Sequence, residues 1–245
     1  DEDIFRTNPQ ALEKLNGWVK ARDASRQPAA MYAMGKLLLE KDDLPGAVNM
    51  AEEGLSKYPQ SLPVQILSLN TITVLLDKNR LKEAERLISK YPGSSPDLVF
   101  QQGALAFLKK DYSLAQNLFR EAARRASETT AENALFNENL AALNANDSAG
   151  AAALIKEAEG SSRLRENILF EQAHYAAKRM DPQAAELLAN FIALAENPAL
   201  KTQARLDQAE VAMNINPQDL ETVQAIITLL EKEQLSPAQT MQLAR

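Results

Sequence analysis

The sequence predicts an all-α protein built from repeated helix pairs, and three observations support this prediction. Apolar residues recur at helical spacing along most of the 245 residues. Only 8 glycines and 11 prolines are present, and the prolines stand between the periodic segments, where a residue that cannot continue a helix is expected. The strict alternation of polar and apolar residues that is typical of a β-strand is not found in the sequence.

The segment 96–125, PDLVFQQGALAFLKKDYSLAQNLFREAARR, contains the clearest helix pair. Its two apolar stripes are separated by the polar stretch 109–112, in which Asp111 is expected to cap the second helix. Gly103 and Ala115 lie twelve residues apart, and small side chains there would let the two helices approach closely. Such a pair cannot bury both of its apolar faces alone, so copies are expected on either side. The stripes consist of Leu98, Phe100, Ala104, Phe107 and Leu108, and then of Leu114, Ala115, Leu118, Phe119, Ala122 and Ala123.

The other helices follow from the same periodicity and from their start and stop signals. Pro9 suits the first position of a helix, and the dipeptides Tyr58-Pro59 and Tyr91-Pro92 each end a helix pair. Together these signals predict about fourteen helices. In chain order they span residues 8–22, 28–41, 45–57, 62–77 and 80–90, two helices within 96–125, and then 129–145, 148–159, 163–179, 182–196, 199–214, 218–232 and 237–243.

The composition excludes several classes of function. The net charge of −6 argues against a nucleic-acid partner. The absence of cysteine excludes disulfides, thiolate nucleophiles and cysteine metal sites. No apolar run is long enough for a membrane-spanning helix, and the richest run, residues 66–76, is interpreted as a buried helix. The chain begins at Asp1 without Met, which predicts a processed chain and favours a periplasmic or exported location over a cytoplasmic one.

Small residues recur in a common register along the chain. Gly35 precedes Ala47 by twelve residues, with Ala51, Gly54 and Pro59 following. The corresponding sets are Gly103, Ala115, Phe119 and Ala122, then Asn139, Ala151, Ile155 and Ala158, and then Ala173, Ala185, Ala189 and Ile192. A repeat length near 34 residues separates the last three sets. We therefore expect the same helix–helix packing in each pair.

This pattern resembles the tetratricopeptide repeat, a 34-residue helix pair with small residues at its eighth, twentieth and twenty-seventh positions. Residues 28–60 and 96–127 are the closest copies, although the large aromatic residues typical of the fourth and eleventh positions are mostly missing. The resemblance covers residues 28–198. It implies a right-handed α-α superhelix of about six to seven helical pairs, a single solenoid over residues 1–245. Residues 1–27 and the divergent residues 199–245 would then form its two caps.

The resemblance also implies a concave groove lined by the first helix of each pair. Rings and amides at the inward positions suit an extended or helical peptide. The candidate groove residues are Tyr32, Lys36, Leu69, Phe100, Asn133, Phe136, Leu140, Asn144, Asn167, Phe170 and His174. The alternative is that the rings pack between neighbouring first helices as core. A clamp for a C-terminal carboxylate is disfavoured, because aromatic residues replace the lysine that such repeats use.

Catalytic and metal-binding roles find no support in the motifs. The sequence contains no Gly-rich phosphate loop, no HExxH and no G-x-S-x-G. His174 is the only histidine, so a structural or solvent-facing role is expected for it, and Trp18 is expected in the core. We expect no catalytic residue, no cofactor and no metal.

The sequence thus favours a non-catalytic scaffold that binds a protein or peptide partner in its groove. Bacterial cell-envelope systems for pilus assembly, secretion or exopolysaccharide export are the expected setting. Two alternatives stay open. One is a self-assembling structural module, a homo-oligomer with no groove ligand. The other is an enzyme that uses a carboxylate pair on a helical barrel.

Overall fold

A computed structural model of the chain describes residues 9–21, 25–215, 220–230 and 239. Within these residues the protein is all-α, as predicted: thirteen α-helices and one short 3-10 turn, with no strand. No helix among them is both long enough and apolar enough to cross a lipid bilayer. The chain divides into two compact units, Asp1–Ala134 (unit 1) and Leu135–Arg245 (unit 2).

The helix bounds follow the predicted ones closely. The predicted helix 62–77 is found as α4 with the same ends, whereas the one predicted over 237–243 lies outside the described residues except for Gln239. Unit 1 contains α1 (Pro9–Lys20), α2 (Gln27–Glu40), α3 (Leu44–Lys57), α4 (Leu62–Asp77), α5 (Leu81–Lys90), α6 (Pro96–Leu108) and α7 (Tyr112–Arg125), and the division falls within α8 (Glu128–Asn144). Unit 2 continues with α9 (Ser148–Glu157), the 3-10 turn (Ala158–Gly160), α10 (Ser162–Lys178), α11 (Ala184–Leu194), α12 (Pro198–Ile215) and α13 (Leu220–Leu230).

Five helix-to-helix turns share one construction. Each contains a residue in the left-handed region, and the next residue donates its backbone N–H to the carbonyl five positions earlier, as Asp111 does to Ala106 at 2.9 Å. This pattern satisfies carbonyls that the end of a helix leaves without partners. The left-handed residues are Asp42 (φ 61°), Asn79 (56°), Lys110 (65°), Asn146 (59°) and Met180 (53°).

Aspartate carboxylates begin the helices that follow three of these turns. The predicted cap Asp111 accepts the backbone N–H of Leu114 at 3.2 Å, which confirms its role. Asp43 and Asp147 accept the N–H of Gly46 and Gly150 at 3.0 and 2.9 Å. Each carboxylate thus satisfies one of the free N–H groups of a helix start.

In unit 1, each helix pair contacts the next pair along the chain. The first helices α2, α4 and α6 lie side by side, and the second helices α3 and α5 also touch. One continuous core runs from Leu44 in α3 to Leu105 in α6. Glycines let the helices approach: a Cβ on Gly35 would stand 2.3 Å from Leu67, and one on Gly54 would stand 2.9 Å from Val64. These two glycines contact the first helix of the next pair, whereas the close packing predicted within a pair is found at Gly103, where a Cβ would stand 2.9 Å from Phe119.

In unit 2 the register predicted from Ala173 is wrong by one residue. Ala184 and Leu188 are buried, whereas the predicted Ala185 and Ala189 are exposed. The reason is local, since α11 begins only at Ala184 after a turn in which the N–H of Ala184 bonds to the carbonyl of Asp181 at 2.9 Å. Such an i-to-i+3 turn winds more tightly than an α-helix, so the buried face shifts by one position.

Side-chain hydrogen bonds between helices repeatedly span about one repeat length. In unit 1, Lys78 pairs with Asp42, 36 positions earlier. In unit 2, Gln172 donates to Asn139 and Arg179 donates to Asn146, each across 33 positions. Residues at equivalent positions of successive helix pairs therefore lie close together within each unit.

Candidate functional site

The surface formed by α2, α4 and α6, called here the first-helix face of unit 1, combines exposed apolar side chains with polar groups. On α4, Leu62 and Ile66 are 65% and 38% exposed, and they share a stripe with Leu69 and Thr73. Thr73 Oγ1 accepts a hydrogen bond from Nε2 of Gln101 on α6 at 2.9 Å. This bond places the two polar side chains together where α4 meets α6.

Four candidate groove residues of unit 1 lie on the helices of this face, whereas Asn133 lies on α8. Tyr32 and Leu69 are half-buried and pack against the core that runs from α3 to α6. Phe100 is also half-buried, and its ring lies 5.3 Å from that of Phe119 at an angle of 59°. Lys36 is half-buried and Asn133 is exposed. Each of the three large side chains therefore contacts the core and still presents part of its surface to solvent.

The sequence interpretation missed three exposed apolar residues on the first helices of unit 1. Leu62 and Ile66 on α4, and Leu108 at the end of α6, are all more than one third exposed. The helix that contains the run 66–76 is buried on its other side, and its buried residues there include Val64, Leu67 and Leu75. The apolar residues of α4 lie on every side of the helix, so the pattern does not show which side stays uncovered.

The candidate groove residues of unit 2 have more of their surface and polar groups engaged in contacts within the protein than those of unit 1. Phe136 is half-buried against the cluster of Leu154 and Ile168. Asn144 donates its amide to the carbonyl of Leu140 in its own helix at 2.8 Å. Phe170 is only 7% exposed, with its ring 5.5 Å from those of Phe191 and His174. The remaining two, Leu140 and Asn167, are half-buried. The groove assignment of the eleven residues stays a prediction.

His174, for which a structural role is expected, has a specific hydrogen-bond partner in α12. Its Nδ1 lies 2.6 Å from Oδ2 of Asp207, whose side chain is fully buried. This hydrogen bond, with the negative charges of Asp207 and Glu171, raises the pKa of His174 above its ordinary value. Burial raises the pKa of the Glu171 carboxyl on the same helix.

Sequence reasoning did not identify Asp207, although a signal was present. His174 and Asp207 are 33 positions apart, and so are other hydrogen-bonded pairs of unit 2. Lys178 and Glu210, which are 32 positions apart, also form an ion pair at 3.2 Å. Opposite charges at one repeat length were therefore the pattern to search for.

Trp18, which is expected in the core, lies at the edge of one. Trp18 is half-buried against the small core around Leu15, with the ammonium group of Lys14 over its ring at 5.6 Å. Across the described part of the chain, no group of three histidine, cysteine or carboxylate side chains is arranged to hold a metal ion.

Comparison with known proteins adds no family to these observations. No protein-family model matches the chain, and no curated protein is significantly similar to it.

Proposed function

We propose that this protein is a non-catalytic scaffold that binds a peptide or protein segment on the first-helix face of unit 1. The observation that supports this most directly is the exposed pair Leu62 and Ile66, which are one helical turn apart and lie on the same stripe of α4 as Thr73, the partner of Gln101. Apolar side chains that are grouped rather than scattered are typical of binding surfaces.

The chemistry of the face suits a chain segment better than a small molecule. Leu62, Ile66 and Leu108 provide apolar area that a partner's side chains would cover. The hydroxyl of Thr73 and the amide of Gln101 can exchange their mutual hydrogen bond for bonds to a peptide backbone. The half-buried ring of Phe100 adds contact area with little side-chain freedom to lose.

We further propose that the helix pairs form a tetratricopeptide-like superhelix. The side-by-side first helices of unit 1 and the hydrogen bonds that span about one repeat in each unit support this arrangement. In such a solenoid, the first helices would line the concave surface. A cell-envelope setting stays an expectation from the sequence.

Selection from a random-peptide library, followed by affinity measurement on the purified full chain, tests the binding role. We expect selected peptides to lose at least about tenfold in affinity when Leu62 and Ile66 are both replaced by Ser, because about 1.4 kcal/mol of apolar contact corresponds to that factor. The matched control is Leu114→Ser on the second helix α7, where Leu114 is 47% exposed.

The outcomes separate the alternatives. Peptides that lose affinity only with the α4 double variant, while circular dichroism stays helical, support the proposed face. Failure to select any peptide, or equal losses in both variants, contradicts it. Concentration-dependent mass of the unliganded chain in light scattering, abolished by the α4 double variant, would instead favour self-assembly.

A further inference from the structure

The His174–Asp207 contact joins two helices through a buried charge. Asp207 lies in the middle of α12, with its side chain fully buried, and His174 lies in α10, with 29% of its side chain exposed. Nδ1 of the imidazole is 2.6 Å from Oδ2 of the carboxylate, and Nε2 of Gln203 donates to the other oxygen at 3.2 Å. A buried carboxylate is costly unless hydrogen bonds and an opposite charge compensate it.

We propose that His174 and Asp207 form a pH-dependent latch that holds α12 against α10, tight when the imidazole is protonated and weaker when it is neutral. The physical reason is that the carboxylate oxygen stays buried whatever the state of its partner. A neutral imidazole can still donate one hydrogen bond from Nδ1. It no longer supplies the positive charge that offsets the buried negative charge.

The other charged groups around the imidazole raise or lower its pKa according to the sign of their charge. From α10, the carboxylate of Glu171 favours the protonated ring, and the ammonium of Lys178 disfavours it. From α12, Asp207 favours it most strongly. The helices α8, α9 and α11 and the 3-10 turn also pack against α10. Their charged residues, of which only Glu138 is fully buried, are not among the groups that shift the pKa of His174; they are Glu128, Glu132, Glu138, Lys156, Glu157, Glu159 and Glu186. Phe170 stacks on the imidazole at 5.5 Å, with the ring planes 20° apart, and so covers one face.

The direction of the pH effect follows from these contacts. The pKa of His174 is raised above its ordinary 6.5, chiefly by the hydrogen bond to Asp207. The stabilisation from the latch is therefore complete below pH 6.5 and is lost as the pH rises through the higher pKa of the folded state. Acidification tightens the contact, and an alkaline shift loosens it.

A neighbouring ion pair in the same interface provides an internal comparison. Lys178 and Glu210 are 3.2 Å apart, and their side chains are 47% and 42% exposed. Exposed pairs contribute little to stability. This pair therefore contributes little to holding α12 against α10, and it serves as a control for the buried contact.

The single histidine makes the test direct, because every imidazole NMR signal of the full chain belongs to His174. We expect its titration midpoint to lie above 6.5 in the folded protein and to return to about 6.5 in concentrated urea. We also expect hydrogen exchange of α12, corrected for intrinsic rates, to slow at least about threefold from pH 8.5 to pH 6, since about 0.65 kcal/mol corresponds to that factor.

Two variants complete the experiment. His174→Gln keeps a hydrogen-bond donor but does not titrate, so the pH dependence of α12 exchange should disappear. Lys178→Gln removes the exposed pair and should leave that dependence in place. A midpoint at or below 6.5 in the folded wild-type chain overturns the latch, and this measurement needs no variant to fold. Persistence of the pH dependence in folded His174→Gln overturns it as well.

Discussion

Gly103 of α6 lies directly against the ring of Phe119 in α7. A Cβ placed on Gly103 would stand 2.9 Å from two ring carbons, a distance that real side chains essentially never show. Phe119 is only 1% exposed, and Phe100 lies 5.3 Å behind its ring, so the ring has little room to move. The absence of a side chain at position 103 thus determines how closely α6 and α7 pack.

Gly103→Leu should therefore lower the free energy of unfolding by roughly 1–3 kcal/mol, because the added side chain overpacks the contact with Phe119. Urea unfolding monitored by circular dichroism measures the change. The control is Gly17→Leu in α1, where no atom lies within 4 Å of a new Cβ. That variant should raise stability by roughly 0.5–1 kcal/mol, since leucine is the better helix former. The same sign for both variants would contradict the packing argument.

Met180 occupies a backbone conformation that suits glycine. Its φ is 53°, and its side chain is 45% exposed, so little packing would be lost on its removal. Met180→Gly should raise the free energy of unfolding by roughly 1 kcal/mol, because glycine adopts the left-handed region without steric cost. Thermal or urea unfolding will report the gain.

A matched methionine tests whether backbone conformation is the cause. Met213 is 46% exposed but lies in the helix α12. Met213→Gly should lower stability by roughly 1 kcal/mol, since glycine is a poor helix former. Opposite signs at the two methionines support the interpretation, whereas destabilisation at both positions would refute it.

Local signals in the sequence were sufficient for the elements, but not for their side-chain contacts. The ends of α4 and the cap Asp111 follow from helical periodicity and capping chemistry, which depend on residues a few positions apart. The one-residue shift that buries Ala184 instead of Ala185 depends on the geometry of a single turn. Periodicity alone does not specify that geometry.

The candidate sites were less accessible to sequence reasoning for two reasons. Asp207 becomes the partner of His174 only when α10 and α12 are placed side by side, and this contact spans 33 positions. Ile66 belongs to the run 66–76 that the pattern indicates as a buried helix, and Leu62 lies one turn before it. Apolar residues on every side of a helix do not reveal which side is uncovered.

The capping role of Asp111 gives a further prediction. Asp111→Ala should lower the free energy of unfolding by about 1 kcal/mol, because the backbone N–H of Leu114 loses its acceptor at 3.2 Å. Asp111→Asn retains an oxygen that can accept the same bond and should stay close to the wild-type value. Urea unfolding of the two variants distinguishes loss of the cap from loss of the negative charge, and equal losses would show that charge is the cause.

Glu171 gives a prediction about pH that differs from the one for His174. Burial raises the pKa of its carboxyl above 4.5, so folding favours the protonated acid. Its contribution is therefore favourable at pH 4.5 and below, and it is lost as the pH rises through the higher pKa of the folded state. Glu171→Gln removes this loss and should be more stable relative to wild type at pH 7 than at pH 4.5. The relative gain should be below about 1 kcal/mol, because the carboxyl is partly solvated.

Urea unfolding at the two pH values measures this difference, and Glu186→Gln on the exposed side of α11 serves as its control. The control replaces a glutamate with the same amide at an exposed position. His174 adds the same kind of acid stabilisation, so its contribution has to be separated from that of Glu171. The double variant with His174→Gln allows this, since only the Glu171 term then titrates. If Glu171→Gln became relatively less stable at pH 7 in that background, the ionised carboxylate would be stabilising, and burial would not be the dominant influence on this group.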